Sequence, residues 1–162
     1  MKKLIVTSLL VLSTASFAEK LTSRDKIGGS ISLGENSQSV NAIFSNEGAL
    51  EESRLYYIAQ MGVGVAAEQD SSKVNHSGLQ ATLAGGLGYL IDRDSELAVV
   101  AGYEANLKTF SSPFYPVKPI IMATRNITND GRVKASVKLK YEIGKKENND
   151  QVAAEFSVTS GF

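Results

Sequence analysis

The stretch Gln151-Val152-Ala153-Ala154-Glu155-Phe156-Ser157-Val158-Thr159-Ser160-Gly161-Phe162 decides the fold. Val152, Ala154, Phe156, Val158, Ser160 and Phe162 fall on one face of an extended chain. Gln151, Ala153, Glu155, Ser157, Thr159 and Gly161 fall on the other. One face is apolar apart from Ser160, and the other is polar or small. Such a period of two marks a strand lying between two unlike surroundings.

Working outward, aspartate, asparagine, glycine and serine clusters cut the rest of the chain into similar stretches. Eight are predicted, at residues 26–34, 39–45, 53–66, 78–90, 96–108, 115–126, 132–143 and 152–162. An even number of antiparallel strands returns both termini to one end of a closed sheet. The second stretch is short. The longest connection is expected at residues 67–77. Pro113, Pro116 and Pro119 crowd the start of the sixth stretch. Proline cannot donate to a ladder, so Pro119 predicts a bulge and leaves the facing of Lys118, Ile120 and Met122 open.

The amino terminus has a different texture. Lys2 and Lys3 precede the apolar run Leu4 to Leu12, and Ser16-Phe17-Ala18 supplies small residues at a cleavage position. This predicts a cleavable signal peptide at residues 1–18 and a mature chain of 144 residues, 19–162, forming one domain. The run is too short to cross a bilayer as a helix. No later segment reaches the ~18 apolar residues of a membrane helix.

Composition narrows the classes. With no cysteine, lipid modification of a thiol and disulfide cross-linking are both excluded. Seventeen basic side chains balance seventeen acidic ones, and loss of Lys2 and Lys3 leaves the mature chain near −2. That balance gives no reason to expect nucleic acid as a partner. One histidine and no cysteine support no metal site, and no cofactor is expected.

The faces of the stretches carry the argument further. One face bears Ile27, Ile31, Leu33, Val40, Phe44, Leu55, Met61, Val63, Leu79, Leu83, Leu87, Val99, Leu107, Val137 and Leu139, with almost no charge. The other bears Ser30, Asn41, Arg54, Gln60, Gln80, Thr82, Glu104, Asn106, Lys134, Lys138, Lys140 and Glu155, with Gly28, Gly62, Gly64, Gly86, Gly88 and Gly102. Eight strands enclose an interior just wide enough to be filled by side chains. Glycine there is expected to make room for long residues such as Arg54, Gln80 and Lys138. Aromatics gather near stretch ends on the apolar face: Phe44, Tyr57, Tyr89 and Phe162 towards one boundary, Tyr115 and Tyr141 towards the other. Girdles of this kind flank the apolar band of membrane barrels.

These residues resemble the small eight-stranded bacterial outer-membrane barrels, such as the transmembrane domain of outer-membrane protein A and its relatives. The resemblance covers residues 19–162 in pattern. It implies an all-β, antiparallel, up-and-down transmembrane barrel behind a cleavable signal peptide, integral to the outer membrane of a Gram-negative cell. It implies outer-membrane lipids and lipopolysaccharide as surroundings, and periplasmic chaperones and the barrel-assembly machinery as partners in biogenesis. Phe156, Val158 and Phe162 match the terminal assembly signal of that group. The protein is expected to be a monomer.

Three functional readings follow. The first is a structural or surface-interaction role without catalysis, the lumen being plugged by Arg54, Glu104, Lys134, Lys138, Lys140 and Glu155. The second is a narrow path for ions or small solutes, with Lys134, Lys138 and Lys140 favouring anions. The third is a lipid-modifying enzyme using His76 and Ser77. Adjacent strand residues face opposite ways, so that pair is poorly placed for nucleophile and base, and no catalytic residue is assigned.

Overall fold

The computed structural model describes residues 21–50, 53–146 and 149–161. The predicted leader and Phe162 lie outside the described residues. Eight strands follow in order: β1 (Leu21–Gly34), β2 (Ser37–Leu50), β3 (Leu55–Gln69), β4 (Asn75–Asp92), β5 (Leu97–Lys108), β6 (Val117–Asn126), β7 (Val133–Glu142) and β8 (Gln151–Gly161). Each pairs antiparallel with the next, and β8 pairs back onto β1 to close an up-and-down barrel. The closing register sets Ile31 opposite Phe156 and Ser32 opposite Glu155. Closure leaves no sheet edge between the first and last strands.

Period-two patterning is expressed on all eight strands. Ile31, Val63, Leu83, Leu107 and Phe156 face outward and are more than half exposed. Ser30, Asn41, Gln60, Glu104, Lys138 and Glu155 face inward and are buried. A register slip of one residue would exchange these faces, so the alternation pins the pairing.

Several boundaries differ from expectation, for one reason. Polar residues read as turns instead continue a ladder. In β2, Asn46, Glu47 and Gly48 still pair with Asp25, Arg24 and Ser23 of β1. In β3 and β4, Ala67 pairs with Ser77 and Glu68 with His76. The connection expected at 67–77 therefore shrinks to 70–74. The longest connections are 109–116 and 143–150 instead.

Pro119 carries no bulge. It faces Tyr103 in an unbroken β5–β6 register, while the β6–β7 register starts one residue later, at Ile120 and Lys140. A missing donor is tolerated where the second ladder has not begun. Lys118, Ile120 and Met122 all point inward and are buried. The register shift occurs in β4 instead, between Leu90 and Asp92.

The 109–116 loop is stapled to its surroundings. Phe114 forms a bridge with Gly144 and is buried. The backbone N–H of Tyr115 donates to Ile143 O and that of Lys145 to Pro113 O, both at 2.9 Å. Ser112 donates from Oγ to Glu68 Oε2.

Gly88 and Gly102 act differently from expectation. A Cβ on Gly102 would lie 2.0 Å from Gly85 O, and one on Gly88 would lie 1.9 Å from Val99 O. They permit close approach of neighbouring backbones rather than making room for long side chains. Outward Gly29 has space, its nearest neighbour being Asn41 O at 3.6 Å. Gly102→Ala is therefore expected to destabilise by about 1–3 kcal/mol, and Gly29→Ala to stay within about 0.5 kcal/mol. Urea unfolding of the refolded protein, followed by circular dichroism, checks this. Equal midpoints for the two variants would show that backbone approach is not limiting.

Candidate functional site

The inward face gathers charge in three tiers along the barrel. At the end holding the chain termini, Lys134 of β7 donates to Tyr56 Oη at 2.7 Å. Its Nζ lies 2.9 Å from Glu47 Oε1 and 3.1 Å from Glu96 Oε2. Lys26 of β1 lies 3.5 Å from the same Glu47 oxygen and donates to Gly131 O at 3.1 Å.

The middle tier is a quartet. Lys138 and Lys140 are successive inward positions on β7, because residues two apart share a face. Lys138 Nζ is 2.9 Å from both Glu104 Oε2 of β5 and Glu155 Oε1 of β8. Lys140 Nζ is 2.8 Å from Glu104 Oε1 and also pairs with Glu155. Asn106 adds a hydrogen bond to Glu104 Oε1 at 3.2 Å.

At the far end Lys108 pairs with Glu68 and Lys118 with Glu142. Ser37 donates to Glu142 Oε2 at 2.7 Å. Ser32, Gln80, Asn106 and Lys140 help to line a cavity of about 10 Å³ here, room for roughly one water molecule.

Between the first tier and the quartet lies a layer the sequence reading missed. Tyr56, Ile58, Leu90, Ala98, Val100 and Met122 pack together inside the barrel on the β3–β6 side. Ser136 of β7 bonds Thr124 of β6 at 2.9 Å beside them. The charged lumen is thus interrupted by an apolar partition. Even-numbered inward parity on β3 to β6 carried this signal, since Tyr56, Ile58, Val100 and Met122 fall between the polar positions.

Among the described residues the tiers hold Lys26, Lys108, Lys118, Lys134, Lys138 and Lys140 against Glu47, Glu68, Glu96, Glu104, Glu142 and Glu155. Positive and negative groups are equal in number, so these pairs give the interior no net preference for anions. Of the residues predicted to share the lumen, Lys138, Lys140, Glu104 and Glu155 meet in one cluster, and Lys134 serves another. Arg54 is not inside. It precedes β3, where the ladder has not yet fixed its facing, and is exposed, with its guanidinium 5.8 Å from the outward Tyr89 ring.

The remaining positions sort by face. Phe156 and Val158 are outward and exposed, whereas Phe162, the third member of the matched signal, lies outside the described residues. Phe44, Tyr89, Tyr115 and Tyr141 are outward and exposed. Tyr57 donates from Oη to Asn46 Oδ1 at 2.8 Å, and Asn46 donates to Asp25 at 2.7 Å. At the opposite rim, Tyr141 Oη donates to Asp150 at 2.8 Å. Tyr57 and Tyr141 thus turn from apolar ring to polar partner at opposite ends of the barrel.

His76 does not meet Ser77. Its Nε2 is 3.6 Å from Asp70 Oδ2, while Ser77 faces the other way opposite Ala67. The backbone N–H of Val74, with that of Ser72 and the His76 ring, holds the Asp70 carboxyl below its usual range. Among the described residues no group of three or more histidines and carboxylates could hold a metal ion.

Comparison with protein-family models, with curated proteins and with solved structures finds no match to this chain.

Removing one lysine of the quartet leaves two buried carboxylates facing one cation. Lys138→Met is expected to cost about 3–5 kcal/mol. Adding Glu155→Gln restores the charge balance and should recover part of that loss. Unfolding free energies of the two singles and the double form the check, and additive losses would deny the coupling.

Proposed function

We propose that the protein is an integral β-barrel of a Gram-negative outer membrane, with a structural or surface-interaction role and a closed lumen. The observation that carries this reading is the inversion of the two faces. Six lysine–glutamate partners of each sign lie inside. Meanwhile twenty-eight large apolar side chains among the described residues are exposed. A water-soluble barrel would bury the second set, since contiguous exposed apolar patches are rare on soluble monomers. In hydrocarbon the arrangement is favourable, and a closed barrel is one of two ways to satisfy every backbone group there.

Dimensions support the same reading. The shortest strands, β6 and β7, have 10 residues. At about 3.3 Å per residue and a tilt near 40°, that length advances about 25 Å, the height of the apolar band in such barrels. Tyr57 and Tyr141, whose hydroxyls meet polar partners, suit the two interfaces. The short connections 51–54, 93–96 and 127–132 share the end holding both termini, which we take as periplasmic. Lipopolysaccharide and phospholipid are then the immediate surroundings. Chaperones and the assembly machinery act before insertion, and the folded barrel is a monomer.

Closure of the lumen follows from the paired charges and from the partition at Ile58, Val100 and Met122. A plugged interior leaves the two rims and the lipid face as the surfaces through which the protein acts.

The natural protein is expected in the detergent-soluble membrane fraction, with different gel mobility before and after boiling. Recovery in an aqueous extract would overturn the proposal. Leu83→Lys, outward at the middle of β4, should cost about 2–4 kcal/mol in vesicles, measured by urea titration. Planar-bilayer recordings should show no steady conductance, and a selective steady opening would replace the closed-lumen reading with a channel.

A further inference from the structure

The chain contains five arginines, and all five lie at the end holding the termini: Arg24, Arg54, Arg93, Arg125 and Arg132. Among the described residues, the exposed lysines, Lys73, Lys145 and Lys146, lie at the opposite end. The exposed cations are therefore segregated by chemistry, guanidinium at one rim and ammonium at the other. Guanidinium presents a planar fork of donors that matches phosphate, which ammonium does not.

Two of the five are pinned as a pair. Arg54 precedes β3 and Arg93 follows β4, and these strand ends are joined by the bond from Leu90 N to Arg54 O at 2.7 Å. Arg54 Nη1 donates to Ile91 O at 3.3 Å, and Arg93 Nη2 donates to Ser53 O at 3.3 Å. Each side chain thus reaches across to the other's strand. Each bond uses one of a guanidinium's five donors and leaves the others free.

Carboxylate pairing separates Arg54 and Arg93, together with Arg125, from Arg24 and Arg132 on the same rim; only Arg54 and Arg93 are tied to each other's strand ends. Arg24 lies 3.5 Å from Glu96 and Arg132 lies 3.4 Å from Asp130. Among the described residues neither Arg54 nor Arg93 has a carboxylate within ion-pair distance. Asp92, beside Arg93 in the chain, is engaged by Ser95 Oγ and by the N–H groups of Asp94 and Ser95. Directly beneath the pair, on the outward face, lie Leu55, Tyr89 and Ile91, all about half exposed.

We infer that Arg54 and Arg93 form a clasp for the phosphate of an anionic phospholipid, whose acyl chains lie along Leu55, Tyr89 and Ile91. The inference rests on the membrane reading above and names one lipid class at one place on the rim. Phosphate supplies the anionic acceptor that the two guanidinium groups lack among the described residues, and the apolar strip supplies what an inorganic anion would not use. Arg54 over the Tyr89 ring holds the headgroup level at the polar edge of the strip.

Native mass spectrometry of the full mature barrel tests this, after extraction from vesicles of mixed phosphatidylcholine and phosphatidylglycerol. The wild-type protein should retain phosphatidylglycerol in preference to phosphatidylcholine. The double variant Arg54→Gln/Arg93→Gln should retain about tenfold less or lower, the loss expected for one charge-assisted hydrogen bond. Arg132→Gln, which removes the same kind of charge from a neutralised site, should retain as much as the wild type. Inorganic phosphate at millimolar concentration should not displace the lipid. Equal retention by wild type and double variant overturns the clasp, as does an equal loss in Arg132→Gln or displacement by free phosphate. Gel mobility of the same samples before and after boiling separates the two levels. A barrel that inserts without lipid preference defeats the clasp alone, and a chain that never inserts defeats both.

Discussion

Lys138 and Lys140 each reach both Glu104 and Glu155, so every buried charge of the four has two partners of opposite sign. An unpaired ion removed from water is costly, and a half-made network is worse than none. The quartet joins β5, β7 and β8, strands that are not all neighbours in the sheet. It can form only when the sheet has curled far enough for the side-chain ends of β5, β7 and β8 to meet at hydrogen-bond distance across the interior. Pairing and closure therefore require each other: an open sheet would strand the charges, and an uncharged interior would lack the same cross-wall register.

The apolar partition complements that arrangement. Ionic tiers alone would leave a wettable interior, in which water could compete for the lysine and glutamate partners. Tyr56, Ile58, Leu90, Ala98, Val100 and Met122 exclude it from one layer and keep the first tier apart from the quartet. Low dielectric strengthens each remaining bond and raises the cost of breaking it. The close glycine contacts on β4 and β5 belong to the same economy of space, since Gly88 and Gly102 let backbones approach where no side chain fits.

Much of this was legible because a strand has only two faces. Once Val152 to Gly161 alternates, the facing of Glu155 follows, and the same parity places Glu104, Lys134, Lys138 and Lys140. Strand ends were harder. Asn46, Glu47 and Glu68 have the composition of turns, yet they continue ladders because their partners across the sheet are already in register. Arg54 failed for the opposite reason: parity was extended to a residue where pairing had not begun. Tyr56 and Ile58 stay hidden in the sequence because an apolar residue on a mostly polar face looks like an exception until its neighbours from other strands are seen beside it, while the nearby prolines leave the facing of Met122 open. Pro119 looks like a disturbance in the sequence, but it sits where one ladder is absent, and its missing donor has no vacant partner.

The stapled 109–116 loop has an effect on what the far mouth displays. Phe114 is tucked under it, Ser112 is tied to Glu68, and two backbone bonds join it to the 143–150 connection. A long connection that would otherwise wave above the rim is instead folded down as a stopper. Among the described residues, that side exposes the narrow tip at 70–74, Glu35, Lys145, Lys146 and Asp150. A visitor approaching from there meets a low rim of mixed charge, with Lys73, Lys145 and Lys146 beside Glu35 and Asp150, not a long fringe.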